Sequence, residues 1–256
     1  MISDAIQVGF MVAPMAIALR SQGVPVKIVY LGHKYGSAMV VRKDGPVRTV
    51  ADLRGKVIGI PSRFSDERLL THKALKQHNI PESEVKLVEM PPPDVASALE
   101  AGALDAFVMG EPYPSQSEMQ GIGRVLFFAR EYWPDYMSCV VVMRQDIIDE
   151  RPDVAQVLVD GLARSGVWLD DDIKHREQAS EFVGREYFHK SPALLKWSLT
   201  KPFERIEYRK LSPRKVDFEL VRDLMFDLKL IDRKIDFNEF VETKFAEAAE
   251  HETAWK

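Results

Sequence analysis

A single cysteine, Cys139, stands in a chain of 256 residues. It excludes an internal disulfide and any Cys-x-x-Cys metal or redox motif. Long apolar runs are also missing. The longest candidate, Val8 to Leu19, falls short of the roughly 18 to 20 residues that cross a bilayer, and Pro14 interrupts it. No basic stretch precedes it and Asp4 lies just upstream, so this run does not read as a signal peptide. No charge stripe exists. Lys and Arg number 35 against 39 Asp and Glu, mixed along the chain, for a net charge of −4. That balance argues against nucleic acid as a partner.

Dedicated metal and cofactor patterns are absent as well. The six histidines form no His-x-x-x-His or His-Glu-x-x-His pair, so no metal site is expected. Gly121-Ile122-Gly123 lacks a third glycine in register, and neither a Walker loop nor a Gly-x-Ser-x-Gly elbow occurs. No cofactor is expected. Asp170-Asp171-Asp172 lacks the alternation of a calcium loop and is expected to end a helix in solvent.

What is present is alternation of strand and helix. Apolar residues make up 46% of the chain, enough for one large core or two small ones. Ala5 to Phe10, Val26 to Leu31, Ser37 to Arg42 and Lys56 to Ile60 read as strands. So do Val85 to Glu89, Leu104 to Met109, Val125 to Phe128 and Ser138 to Met143. Helical stretches at Pro14 to Ser21, Ser65 to His78 and Asp94 to Glu100 fall between them. This order predicts parallel βαβ units with helices on both faces. After Met143 the pattern becomes mostly helical. Pro152, Pro192 and Pro213 are each expected at a first helical position. Val216, Leu220, Leu224 and Leu228 recur every four residues and predict one apolar face.

Several stretches together resemble the nitrate/sulfonate/taurine-binding proteins of bacterial ABC importers, a family that includes the thiamine-pyrimidine synthase-like proteins. They are Asp4-Ala5-Ile6 with Ala13-Pro14-Met15-Ala16, Val50 through Pro61, Ala98 through Phe107 with Gly110-Glu111-Pro112-Tyr113, and Arg151-Pro152-Asp153-Val154. The resemblance implies an α/β, type II periplasmic-binding-protein fold with two α/β lobes, crossing hinge segments and a helical C-terminal region. It implies residues 1–43 as the first part of lobe 1, 44–136 as lobe 2, and 137–256 as the return hinge, the rest of lobe 1 and the terminal helices. It also implies that an N-terminal βα unit of about 50 residues and an export signal are missing before Asp4, leaving an open sheet edge.

In open α/β sheets, ligands sit outside the carboxyl ends of strands, against helix starts. Ser62, Arg63, Phe64 and Ser65 occupy one such place, where hydroxyls, a guanidinium and helix N–H groups suit an anion. Ser65 can equally be an N-cap and Arg63 a solvated charge. Glu111 and Tyr113 occupy a second place, as hydrogen-bond acceptor and aromatic wall, or as cap and core. Pro14, with Tyr35, Gly36 and Ser37, forms a third, Gly36 allowing close backbone approach. Ser138 and Cys139 open the returning strand, and Ser138 is a further candidate ligand contact.

The resemblance implies a solute-binding component of an ABC importer, binding a small organic anion or zwitterion between its lobes. Its partners would be that ligand and a membrane permease, and the chain would act as an extracytoplasmic monomer without chemistry of its own. Tyr35, Phe64 and Tyr113 leave room for a flat aromatic ligand instead. An enzyme on the same fold, a desulfinase or pyrimidine synthase, is the alternative, as is an orphan sensing module.

Overall fold

A computed structural model describes residues 5–188 and 191–253; Asp4 and His189 lie outside them. From the N-terminus, β1 (Val8–Val12), α1 (Ala13–Ser21), β2 (Val26–Leu31), β3 (Lys34–Tyr35) and β4 (Ser37–Arg42) follow closely. Then come β5 (Val57–Ile60), α2 (Asp66–Gln77), β6 (Lys86–Glu89), α3 (Val95–Glu100), β7 (Ala106–Gly110) and α4 (Tyr113–Met119). Next are β8 (Gly123–Phe128), α5 (Ala129–Tyr132), β9 (Cys139–Arg144), α6 (Gln145–Glu150), α7 (Pro152–Asp171) and α8 (Ile173–Val183). The chain ends in α9 (Pro192–Thr200), β10 (Ile206–Glu207), α10 (Lys215–Asp227), α11 (Phe237–Phe240) and α12 (Lys244–Thr253).

Two units emerge. The first contains residues 1–34, 137–175 and 207–256; the second contains 35–136 and 176–206. Two stretches decide where the units divide. Residues 35–43 join the second unit because β4 pairs with β7 and β8 there. Residues 176–206 also join it, because the Arg205 guanidinium bonds to Glu111 and Glu118.

The first unit has a three-stranded sheet in the order β1-β9-β2, with both pairings antiparallel. β1 and β2 therefore run the same way, joined through α1, with β9 inserted between them. β1 ends the sheet among the described residues, and Phe10 on it is 59% exposed. The second unit has a five-stranded sheet in the order β6-β5-β7-β4-β8. β5 is parallel to β6 and β7, while β4 is antiparallel to both β7 and β8. The expected parallel βαβ frame is thus present in both units, but each accepts one antiparallel strand. Those strands, β4 and β9, come from beside the points where the chain passes between units, so local alternation could not reveal them.

Burial explains the strands. Val26 to Leu31 and Ser37 to Val41 are buried nearly throughout, as continuous apolar runs covered on both faces should be. In α2, Leu69, Leu70 and Leu75 are fully buried, as their spacing predicts. Two helical expectations fail. α10 begins at Lys215, two residues beyond Pro213. Its buried face is Phe218, Val221 and Met225, whereas Val216 and Leu220 are 67% and 38% exposed. A strict four-residue repeat drifts around a helix of 3.6 residues per turn, and the bulkier Phe218 wins the core. Asp170 and Asp171, at the end of α7, accept hydrogen bonds from Tyr208 and Arg209. Among the described residues no helix is long and apolar enough to cross a membrane.

One charged cluster fixes α2 to the turn before β6. The Arg68 guanidinium donates to both Glu82 oxygens at 2.5 and 2.6 Å, and His72 Nδ1 lies 2.8 Å away. Burial pushes the Glu82 carboxyl up, but bonds from His72 and Arg68 outweigh it and bring its pKa to about 2. A carboxyl with a folded pKa below its unfolded one, about 4.3, stabilises the fold above that unfolded value. The contribution is lost as pH falls through about 2. Glu82→Gln is therefore expected to lower the urea midpoint at neutral pH and to flatten the acid decline of stability. An unchanged slope of stability against pH below pH ~4.5 would contradict it.

Candidate functional site

Register brings the sequence candidates of the second unit to one end of its sheet. β5 and β7 run in parallel, with Gly59 beside Phe107, so Pro61–Ser65 and Gly110–Tyr113 both leave the carboxyl ends. β4 runs the other way, and its first residue, Ser37, lies opposite Gly110. The Glu111 N–H donates to the Gly36 carbonyl at 2.7 Å, which joins the second and third candidate segments. Ala38 lies opposite Phe128 on β8, so Arg130 follows at the same end.

The individual side chains divide into buried struts and accessible groups. Ser65 is the N-cap of α2: buried, with its Oγ accepting from the Arg68 N–H at 3.2 Å. Ser37 is buried, donating its hydroxyl to Glu67 Oε1 at 3.0 Å and accepting from the Tyr136 hydroxyl at 3.3 Å. Burial pushes the Glu67 carboxyl above its ordinary value, and hydrogen bonds including those of Ser37 and Ser65 only partly offset it. Glu111 lies 2.6 Å from Arg205, which also reaches Ser115 and, at 2.8 Å, Glu118. Burial pushes the Glu111 carboxyl up while the Arg205 guanidinium pulls against it. Tyr113 packs on the core formed by Val40, Leu99, Phe107 and Met109. Pro14 and Ser138 belong to the first unit and are buried, the Ser138 N–H donating to the His33 carbonyl.

The accessible members are Ser62, Arg63, Phe64 and Tyr35. Arg63 is exposed; its N–H donates to Glu89 at 3.0 Å and its guanidinium lies 5.1 Å over the Phe64 ring. Ser62 Oγ accepts from the Phe64 N–H at 3.1 Å. Tyr35 and Gly36 take φ values of 61° and 83°, a left-handed pair that turns the chain into β4. The Tyr35 ring is held from two sides. Its hydroxyl accepts from the Asp135 N–H at 3.3 Å, and the Arg130 guanidinium stacks on it at 4.3 Å. Among the described residues, neither Arg63 nor Arg130 has a carboxylate partner.

Arg130, Arg205, Glu67 and Tyr136 escaped the sequence reading. The partners of Arg205 lie about 90 positions away, at Glu111, Ser115 and Glu118, and no local pattern marks such pairs. Arg130 had one usable signal, its place directly after a strand end, as with Arg63. No group of three or more His, Cys, Asp or Glu able to hold a metal occurs among the described residues.

A model of the NMT1-like family matches residues 1–184. Among curated proteins, the nitrate/nitrite binding protein NrtA of Nostoc is 28% identical over 152 residues, covering 59% of this chain and 34% of that protein. The chain spans about a third of the length of the curated relatives it matches. A solved ligand-binding component of an ABC-type import system from Staphylococcus aureus superposes with a TM-score of 0.85 at 24% identity, covering 96% of this chain and 82% of that one. The periplasmic aliphatic sulphonate binding protein SsuA of Escherichia coli gives 0.78 at 17% identity, covering 94% and 76%. These likenesses establish the fold, that of the α/β periplasmic binding proteins.

Proposed function

The chain belongs to the NMT1-like family, and on that premise we propose that it is the solute-binding component of an ABC importer. Its solute would be a small oxyanion of the nitrate or sulfonate class, taken up at the carboxyl end of the second unit's sheet. The observation that carries this reading is the presence there of two guanidiniums, Arg63 and Arg130, stacked on aromatic rings and, among the described residues, without carboxylate partners. A guanidinium offers a planar fork of donors that matches an oxyanion, and ring stacking pre-orders it. The start of α2 adds helix N–H groups of the same polarity. Glu67 in its first turn would oppose an anion if ionised; burial favours its neutral form and so weakens that repulsion.

In this role the protein performs no chemistry and needs no resident cofactor. It delivers its solute to a membrane permease and works outside the cytoplasm as a monomer. Calorimetric titration with nitrate, bicarbonate and taurine tests the reading. Arg63→Ala and Arg130→Ala are each expected to weaken the bound anion about tenfold, or about 1.4 kcal/mol. The thermal midpoint of the ligand-free protein should scarcely move, since neither side chain closes a buried pair. Undiminished affinity in the double variant would sink the site assignment.

An enzyme on the same fold keeps one supporting observation: half-buried Cys139 shares a recess with His33. A catalytic thiol would be a thiolate near neutral pH. Alkylation of Cys139 that accelerates only above pH ~8 would remove that support.

A further inference from the structure

The first unit contains a recess of about 300 Å³ that none of the candidate anion-binding residues line. Its floor is the sheet: Phe10 of β1, Leu31 of β2, Gly32 just beyond it, and Cys139 of β9. One wall is α7, through Leu162, Ser165 and Leu169. Tyr30, Tyr208 and Leu211 close the rest, with His33 as the polar group beside Tyr208, their rings edge-on at 6.1 Å.

Two glycines give the recess its form. A Cβ on Gly32 would meet Phe10 Cδ1 at 3.1 Å and the Cys139 Cβ at 3.2 Å, so glycine lets these three pack closely on the floor. A Cβ on Gly166 would lie 2.3 Å from the Tyr208 carbonyl oxygen, so α7 can approach this loop only with glycine there. The Phe10 ring, 59% exposed, stands at its margin.

We propose that this recess is a binding site for an uncharged, two-ring aromatic molecule bearing a hydrogen-bonding group. The charge follows from the lining, which contains no Lys, Arg, Asp or Glu; an ion there would be desolvated without a partner. The size follows from the volume. A cavity of about 150 Å³ accepts one benzene ring, and this one is about 300 Å³. That is too little for a helix or a strand, so a single small molecule fits where a protein segment does not. The aromatic preference follows from the rings of Phe10, Tyr30 and Tyr208, and room for a polar group from the few polar side chains of the lining, Ser165 at its exposed side among them. The site involves the first unit alone and stands apart from the anion reading.

Titration with the neutral fluorophore N-phenyl-1-naphthylamine tests it. We expect saturable enhancement at one site per chain. Ser165→Trp, which fills the mouth from the exposed side of α7 without touching the core, should weaken binding at least tenfold. The probe should also slow alkylation of Cys139 by iodoacetamide in the unaltered protein, read by intact mass on the sole cysteine; this readout stands even if the Trp variant fails to fold. Saturating nitrate or taurine, or Arg63→Ala, should leave the probe's affinity unchanged, so failure of the anion site and failure of this one are separately visible. Non-saturating enhancement, saturable binding that neither Ser165→Trp nor Cys139 protection tracks, or displacement by nitrate would each overturn the proposal.

Discussion

Replacing Arg205 by alanine is expected to destabilise the protein by about 3–5 kcal/mol, the cost of breaking a buried ion pair from one side. The Arg205 side chain is 2% exposed and pairs with Glu111, itself 6% exposed, and with Glu118. Its guanidinium also lies 4.9 Å from the Phe128 ring centre. Truncation leaves the Glu111 carboxylate buried beside Ser115 with no cation. Burial already pushes that carboxyl up; without Arg205 nothing charged pulls it back. The sign of the pH dependence follows. In the variant Glu111 has a folded pKa above its unfolded value, so its neutral form is tolerated at low pH. The deficit opens as pH rises above about 4.3 and is greatest at neutral pH. Arg205→Met combined with Glu111→Gln should recover much of the loss, since a neutral pair leaves no orphan charge. Urea unfolding at pH 7 and pH 4 checks both statements. A loss below about 1 kcal/mol at pH 7 would show that the cluster is not a strut.

Gly166→Val is expected to cost about 3 kcal/mol, the upper part of the range for overpacking. The atom in the way is backbone: the Tyr208 carbonyl oxygen, 2.3 Å from where the Cβ would sit. That oxygen cannot swing aside, because the Tyr208 N–H is anchored on Asp170 at 2.7 Å and Arg209 pairs with Asp171. The same helix supplies its own control. A Cβ on Gly161 meets nothing within 4 Å, so Gly161→Ala should be neutral or stabilising by up to about 1 kcal/mol through helix propensity. Thermal unfolding of the two variants side by side should give opposite signs. Equal effects would mean that α7 does not press on residue 208.

Those two glycines show where sequence stops being informative. Both sit inside one 20-residue amphipathic helix, and only the chain folding back at Tyr208 distinguishes them. By contrast, β2 and β4 have the predicted bounds, Val26–Leu31 and Ser37–Arg42, because Pro25, Gly32 and Asp44-Gly45 punctuate continuous apolar runs. The antiparallel insertion of β4 and β9 was invisible for the same reason as Gly166: pairing is settled by residues far along the chain. In the second unit's site, the loops were legible as strand ends before helix starts. Their division of labour was not. Ser65 and Ser37 look as accessible as Ser62 in sequence, yet the first two are consumed by Arg68 and Glu67. The pairing of Glu111 with Arg205, which comes from the helical tail, was equally invisible.

A small oxyanion is proposed to bind at the end of the second unit's sheet, where Arg63 and Arg130 have no carboxylate partner among the described residues. Amide NMR during titration with taurine and nitrate addresses it most directly. Saturable shifts are expected to concentrate at residues 62–64 and 128–130, with the amides around the recess of the first unit unmoved. No saturable shifts with any nitrate- or sulfonate-class solute, or shifts confined to other residues, would contradict it.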